Sequence, residues 1–473
     1  MELQGRRWYQ TLGLCAVALG GWPDEVLAHA SDRGHVLLLP TGHYIVGGAL
    51  TVLASFLILM VCRPEWLDAL ARKRWALGRL PGRGRTFVST LSFLFCVMLV
   101  LAGLWGSRDP LANPLPLFVW SMTWVGLVIA QGIFGNLWAW LNPWYGPWRL
   151  ARTVLGSRGS KPILSWPAGL ASWPAVGCLA AFAWFELVYP APDDPSRLAR
   201  VLAIYWVAIF AATLIFGYRR TVTRIEFLSV FMRMIAQLSV FDTTRGDLRL
   251  RLPAAGLIGA GRLMPGGVAF ILLALSSVSF DGLRNTFFWL QKIGINPLEF
   301  PGRSAVILET SVGLALAFAA LSIVFLGSVW LGHRSAGRRQ GALHAAAVLV
   351  WTIIPISFAY HVAHYLPAFA ISAQYAVVAL SDPFATGQDL IGTADYQVRA
   401  GIIAGAENAW IVWNIQAGVI VAGHVLAVIA AHVVAWRIYG SGRAATLSQL
   451  PLAVLMIAYT ALGLWLLSAP TAM

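Results

Sequence analysis

Ten times along this 473-residue chain an apolar stretch of about 20 residues recurs, and that recurrence limits the fold more than any other feature. The stretches run about 42–62, 87–105, 115–140, 167–187, 198–217, 264–280, 304–332, 343–380, 409–435 and 450–468. Hydrocarbon offers backbone N–H and C=O groups no hydrogen-bond partner, so a segment that crosses it must satisfy them internally, as a helix does. The expected fold is all-α: a polytopic transmembrane helix bundle of about ten spans, one membrane domain over residues 31–473. With 58% hydrophobic and only 11% charged residues, the chain has no room for a large soluble domain.

The pI of about 10.2 raises the question of nucleic acid, and the placement of the charge answers it. Loops on one side of the expected bundle hold 24 Lys and Arg, and loops on the other hold seven. Such alternation is the positive-inside signature of a bilayer protein, so no nucleic-acid partner is expected. It places the basic loops in the cytoplasm and both ends of the mature chain outside, in a bacterial-type inner membrane. Residues 220–262 form a basic cytoplasmic loop, in which RIEFLSVFMRMIAQLSVF reads as an amphipathic helix lying in the interface. Residues 381–408 form a polar, Gly-rich extracytoplasmic loop, either a lid over a site or an ordinary surface loop. The segment 343–380 is too long for one straight crossing and reads as a Pro-kinked helix that protrudes outward.

Residues 1–30 read as a signal peptide or signal anchor. Arg6 and Arg7 are followed by an apolar run and by Ala28-His29-Ala30, an A-x-A site. Cleavage after Ala30 leaves Ser31 first; cleavage after Ala28 leaves His29, whose amine and imidazole can chelate copper. The cysteines Cys15, Cys62, Cys96 and Cys178 fall in apolar segments without a CxxC pair, which points to neither a disulfide framework nor a thiolate metal site.

Ionisable residues at bilayer depth are costly and face the protein interior, where they mark function. The stretch 351–375 carries His361 and His364 on one helical face, bracketed by Pro355 and Pro367. His424 and His432 follow in the ninth stretch, and Asp281 and Glu309 stand near the outer ends of the sixth and seventh. The topology puts Glu309, His361, His364 and His424 at one depth, with Asp281 slightly above. His432 lies about 12 Å further toward the cytoplasm. Two or three imidazoles, a carboxylate and a water make a catalytic zinc set, and the same set suits iron or manganese. The bland alternative is that each His is a hydrogen-bonded core residue, and this weighs most for His432. His35 and His43 read as interface residues.

The motifs VSFDGL (278–283), FAYHVAHY (358–365), LSDPFATGQDLIGTADY (380–396) and AGHVLAVIAAH (422–432) together resemble the integral-membrane fenitrothion hydrolases. The resemblance extends over most of the chain and is strongest between about 275 and 432. It implies hydrolysis of a hydrophobic aryl phosphorothioate triester that can arrive from the lipid. The matching positions are Asp281, His361, His364, His424 and His432, although His432 is followed by Val433-Val434 where that family commonly has Asp-Arg.

The first expectation is a membrane-embedded metal-dependent hydrolase of phosphotriester-like small hydrophobic compounds. In it His361, His364, His424 and His432 are the candidate metal ligands, Asp281 is ligand or general base, and Glu309 orients the water. A metal-ion or proton transporter with an intramembrane His relay is the second reading. A haem-b electron carrier with axial His pairs is the third.

Overall fold

The computed structural model describes residues 39–79, 84–156, 162–243, 246–399, 401, 405–440 and 442–472. The expected leader, with His29 and Ser31, and His35 lie outside the described residues.

Nine helices among the described residues are long and apolar enough to cross a membrane. In chain order with two shorter helices they are α1 (Thr41–Val61), α2 (Gly84–Trp105), α3 (Pro114–Phe134), α4 (Trp173–Leu187), α5 (Pro195–Phe216), α6 (Phe227–Ile235), α7 (Pro265–Arg284), α8 (Arg303–Ser335), α9 (Ala342–Ser381), α10 (Glu407–Tyr439) and α11 (Gly442–Ser468). The chain is an all-α, multi-pass membrane protein. The fourth expected span corresponds to α4, whose 15 residues reach only about 22 Å, short of a hydrocarbon core of about 30 Å.

Burial sorts the helices into centre and rim. Of the apolar window of α9, 72% is buried inside the protein, with 67% for α7 and 61% for α10, against 22% for α1, α2 and α5. The rim helices turn side chains such as Leu57 and Ile204 outward, where lipid rather than protein covers them. α9 packs against α3, α7 and α10, while α11 packs against α1, α8 and α10. Close approach has visible causes. A Cβ on Gly423 of α10 would fall 2.4 Å from the Ala359 Cβ and 2.8 Å from the Pro355 carbonyl oxygen, so only glycine lets α10 lie on α9 there.

α9 is a single continuous segment, as its length and prolines lead one to expect. A 3-10 stretch at Val350–Ile353 precedes Pro355, and Pro367 lies within the helix that follows. Proline has no N–H, so Pro367 leaves the carbonyl of Ala363, four residues earlier, without its helical donor. Gln416 of α10 fills the gap, its Nε2 donating to that oxygen at 2.6 Å. In α3, Leu117–Leu127 are wound as a π-helix, a form that recurs at functional sites.

The helix expected at the membrane surface within 220–262 is placed differently. In α6, Phe227, Val230, Phe231, Met232, Met234 and Ile235 are buried, so both faces meet protein. Gln131 donates to the Met232 carbonyl at 2.9 Å, Trp138 Nε1 donates to Ser229 Oγ at 3.0 Å, and Phe231 stacks on Trp124. Its start is capped internally: Glu226 accepts from the backbone N–H groups of Leu228 and Ser229. Such a segment has the strong amphipathic pattern of a surface helix but supplies packing beneath α3 and α9.

Two loops also build a small sheet. β1 (Trp75–Arg79), β2 (Phe241–Asp242) and β3 (Asp247–Leu250) pair antiparallel in the order β1-β3-β2. Nearby, the buried Asp68 pairs with both Arg72 and Arg437, tying the loop after α1 to the end of α10. On the opposite side, the described part of the 381–408 loop folds back on α9. Thr393 Oγ1 donates to the Val377 carbonyl and the Arg399 N–H to Gln374 Oε1.

Candidate active site

Asp281 begins the last turn of α7, and three donors meet its carboxylate. Arg284, one turn on, donates from Nε to Oδ1 at 2.9 Å. His364 Nε2 donates to Oδ2 at 2.8 Å, and the Tyr365 hydroxyl lies 2.9 Å from the same oxygen. The i, i+3 spacing of Asp281 and Arg284 brings them together on one helical face, and neighbouring positions on α9 deliver the His and the Tyr. Arg284 also donates from Nη1 to the Leu187 carbonyl, joining α7 to the end of α4.

The Tyr365 hydroxyl touches a second carboxyl, Glu186 Oε1 of α4, also at 2.9 Å. A phenol has one proton to give. One of its two carboxyl contacts therefore closes only when a carboxyl gives a proton to the phenol oxygen. Asp281 already accepts from Arg284 and His364, whereas this contact is the only hydrogen bond of the Glu186 side chain among the described residues. The spare proton belongs on Glu186. Two carboxyl groups joined through one Tyr thus hold different roles, one an acceptor and one a donor.

These groups line a cavity of about 470 Å³. Glu186, Asp281, Arg284 and Tyr365 contribute its polar part together with Arg303 and Asp193, and Trp120, Trp124, Leu117 and Phe369 contribute apolar wall. Arg303 donates from Nη1 to the Glu186 carbonyl at 2.8 Å. In the loop between α4 and α5, burial raises the Asp193 carboxyl above its usual range, and the positive charge of Arg303 opposes the rise. A pocket of this size with aromatic walls and a few convergent polar groups has the make-up of a small-molecule site.

The residues singled out in the sequence are dispersed around this cavity rather than gathered in it. Asp281 lines it, and His364 holds Asp281 from behind. His361, next to His364 on the same face, donates from Nε2 to the carbonyl of Trp124 in the π-helical stretch of α3 at 2.7 Å. His424 donates from Nδ1 to the Ile420 carbonyl of its own helix and packs against Tyr360. His432 meets Gln449 of α11 at 3.3 Å. Glu309 is exposed in the second turn of α8 and does not line the cavity; its neighbour Thr310 takes the buried side. His43 lies in the first turn of α1 and is exposed.

The hydrogen bonds of three of these histidines each engage one ring nitrogen. The Nε2 of His361 and of His364 and the Nδ1 of His424 are each committed to an oxygen acceptor. Among the described residues no three His, Cys, Asp or Glu side chains group as metal donors. What the cavity can do chemically rests on its carboxyl and guanidinium groups.

Glu186, Arg303 and Tyr365 were not singled out in the sequence. Glu186 is the lone acidic residue in the apolar run of α4, and that was the available signal. Comparisons of the chain with family models, with curated proteins and with solved structures each gave no match.

Proposed function

We propose that the protein hydrolyses small hydrophobic esters of the phosphotriester type in this cavity. The observation that supports the reading is the cavity itself, where an acceptor carboxylate, a donor carboxyl and two guanidinium groups face aromatic walls. Asp281 takes a proton from water as the water oxygen attacks phosphorus. The bond from phosphorus to the aryl oxygen breaks, and the leaving oxygen takes the proton held by Glu186. The products are a phenol and a phosphodiester, which becomes the anion by releasing its remaining proton to the bulk, while Asp281 returns the proton it took to Glu186 through the Tyr365 hydroxyl that joins them. Arg284 and Arg303 face the negative charge that builds on the phosphoryl oxygen. His364 keeps Asp281 oriented, and His361 fixes that part of α9 to α3.

The topology completes the reading. The excess of Lys and Arg in alternate loops supports a cavity mouth on the extracytoplasmic side of a bacterial-type inner membrane, where hydrophobic compounds partition into the outer leaflet. A second reading, proton transport through a His relay, draws on one observation. The Nε2 atoms of His424 and His432 are buried without a hydrogen-bond partner among the described residues.

The test is aryl alcohol release by the purified protein in detergent from a neutral aryl phosphotriester, beside proton flux in liposomes. Ester turnover without flux supports hydrolysis. Flux without turnover of any ester overturns it in favour of the relay.

A further inference from the structure

Arg303 is an arginine in a cavity wall with no acidic partner at ion-pair distance among the described residues. Its one strong hydrogen bond runs to a backbone carbonyl, that of Glu186. Arg284 beside it spends Nε on Asp281 and Nη1 on the Leu187 carbonyl, and both guanidinium groups line the same cavity. Of the acidic groups there, Asp281 is already paired with Arg284, the hydrogen-bond count puts a proton on Glu186, and Asp193 feels the charge of Arg303 without an ion pair to it. Arg303 is left with guanidinium donors that no acidic side chain among the described residues takes at hydrogen-bond distance. Donors left open in a partly dehydrated wall are expensive unless something that binds there supplies their partner. A guanidinium presents parallel donors that match two oxygens of a phosphate or carboxylate group.

We propose that Arg303, assisted by Arg284, is the binding site for an organic phosphodiester monoanion whose apolar body lies against Trp120, Trp124 and Phe369. This deepens the reading of the cavity as a site for phosphotriester hydrolysis, because a phosphodiester monoanion is the product of that reaction. The same chemistry is carried by the headgroup of an anionic phospholipid in the surrounding leaflet. In either case the site holds a charged head at the arginine and an apolar body along the aromatic wall.

Calorimetric titration of the full chain in phospholipid-free detergent tests this with three probes. Diphenyl phosphate is the free organic anion, dihexanoyl phosphatidylglycerol the lipid-derived one, and diphenylmethanol a neutral body of similar size. The wild-type protein is expected to bind at least one of the two anions more than 10-fold tighter than diphenylmethanol, with affinity falling as salt is added. Arg303→Gln is expected to weaken the anion at least 10-fold, Arg303→Lys less, and the exposed Arg108→Gln not at all. The tighter of the two anions identifies the source. Equal affinity of the wild-type protein for anion and neutral body overturns the proposal without recourse to any variant, as does full anion affinity in Arg303→Gln. Anion binding without ester turnover counts against the hydrolytic reading alone. Turnover without anion binding counts against this inference alone.

Discussion

Asp281 holds together groups from two helices, so its removal has two separable consequences. Asp281→Asn keeps the shape but gives up the acceptor of the attacking water's proton, and ester turnover is expected to fall about 10²–10⁴-fold. Asp281→Ala also strands Arg284 and His364, with an expected loss of about 3–5 kcal/mol in thermal unfolding. At this scale the sequence was informative where cost was visible. Asp281 and the pair His361 and His364 stand out because polar groups in apolar runs are expensive, and all three make hydrogen bonds between helices, with Asp281 and His361 buried and His364 half-buried. Glu186 and Arg303 sit at span ends, where a charged residue looks like an ordinary interface residue. Glu309 shows the converse limit: sequence position gives depth in the membrane but not azimuth, and a rotation of about 100° per residue separates exposed Glu309 from buried Thr310.

Elements were read best where one period dominated. The long α9 was expected as one Pro-containing segment, and its continuity from Ala342 to Ser381 agrees. The repair of Pro367 by Gln416 was not legible, because nothing in a sequence says which neighbour reaches a freed carbonyl. Gln416→Leu leaves the Ala363 oxygen open at bilayer depth and is expected to cost about 1–3 kcal/mol in thermal unfolding. Gly423→Ala pushes a methyl into Ala359 and the Pro355 carbonyl, with an expected cost of about 1–3 kcal/mol by the same measurement. The case of α6 shows that amphipathic periodicity alone does not distinguish a helix against lipid headgroups from one inserted among other helices.

The loop that follows α9 carries a pH prediction. Asp382 accepts from the N–H groups of Thr386 and Gly387, and Asp389 from the Ser381 hydroxyl and the N–H groups of Thr393 and Ala394. Gly387 and Gly392 adopt positive φ to make the turns. These bonds hold both carboxyls below their usual range. A lowered folded-state value means that the stabilisation is present above the ordinary carboxylate pKa of about 4 and is lost as pH falls through the lowered value. Protease cleavage within 381–399 is expected to stay constant from pH 7 to 5 and to rise only in stronger acid. A rise already near pH 5 contradicts the assignment.

For the whole molecule, the class was legible because hydropathy reports the solvent that each segment meets, whereas the count of about ten spans exceeds the nine long apolar helices among the described residues by the short α4. The spatial meeting of α3, α4, α7 and α9 around one cavity was not legible, since it depends on packing between helices far apart in sequence. Hydrolysis by Asp281 and Glu186 calls for no metal, so elemental analysis is expected to find no stoichiometric zinc, iron or manganese. One such ion per chain, lost in His361→Ala/His364→Ala, would favour the metal-dependent reading instead. The central claim is that this cavity turns over a hydrophobic ester, and the most direct check is kcat/KM for a neutral aryl phosphotriester in wild type and Asp281→Asn, with thermal melts to confirm that both are folded. The account predicts measurable turnover in wild type and at least a 100-fold loss in the variant; equal rates in two folded proteins, or none in wild type, would contradict it.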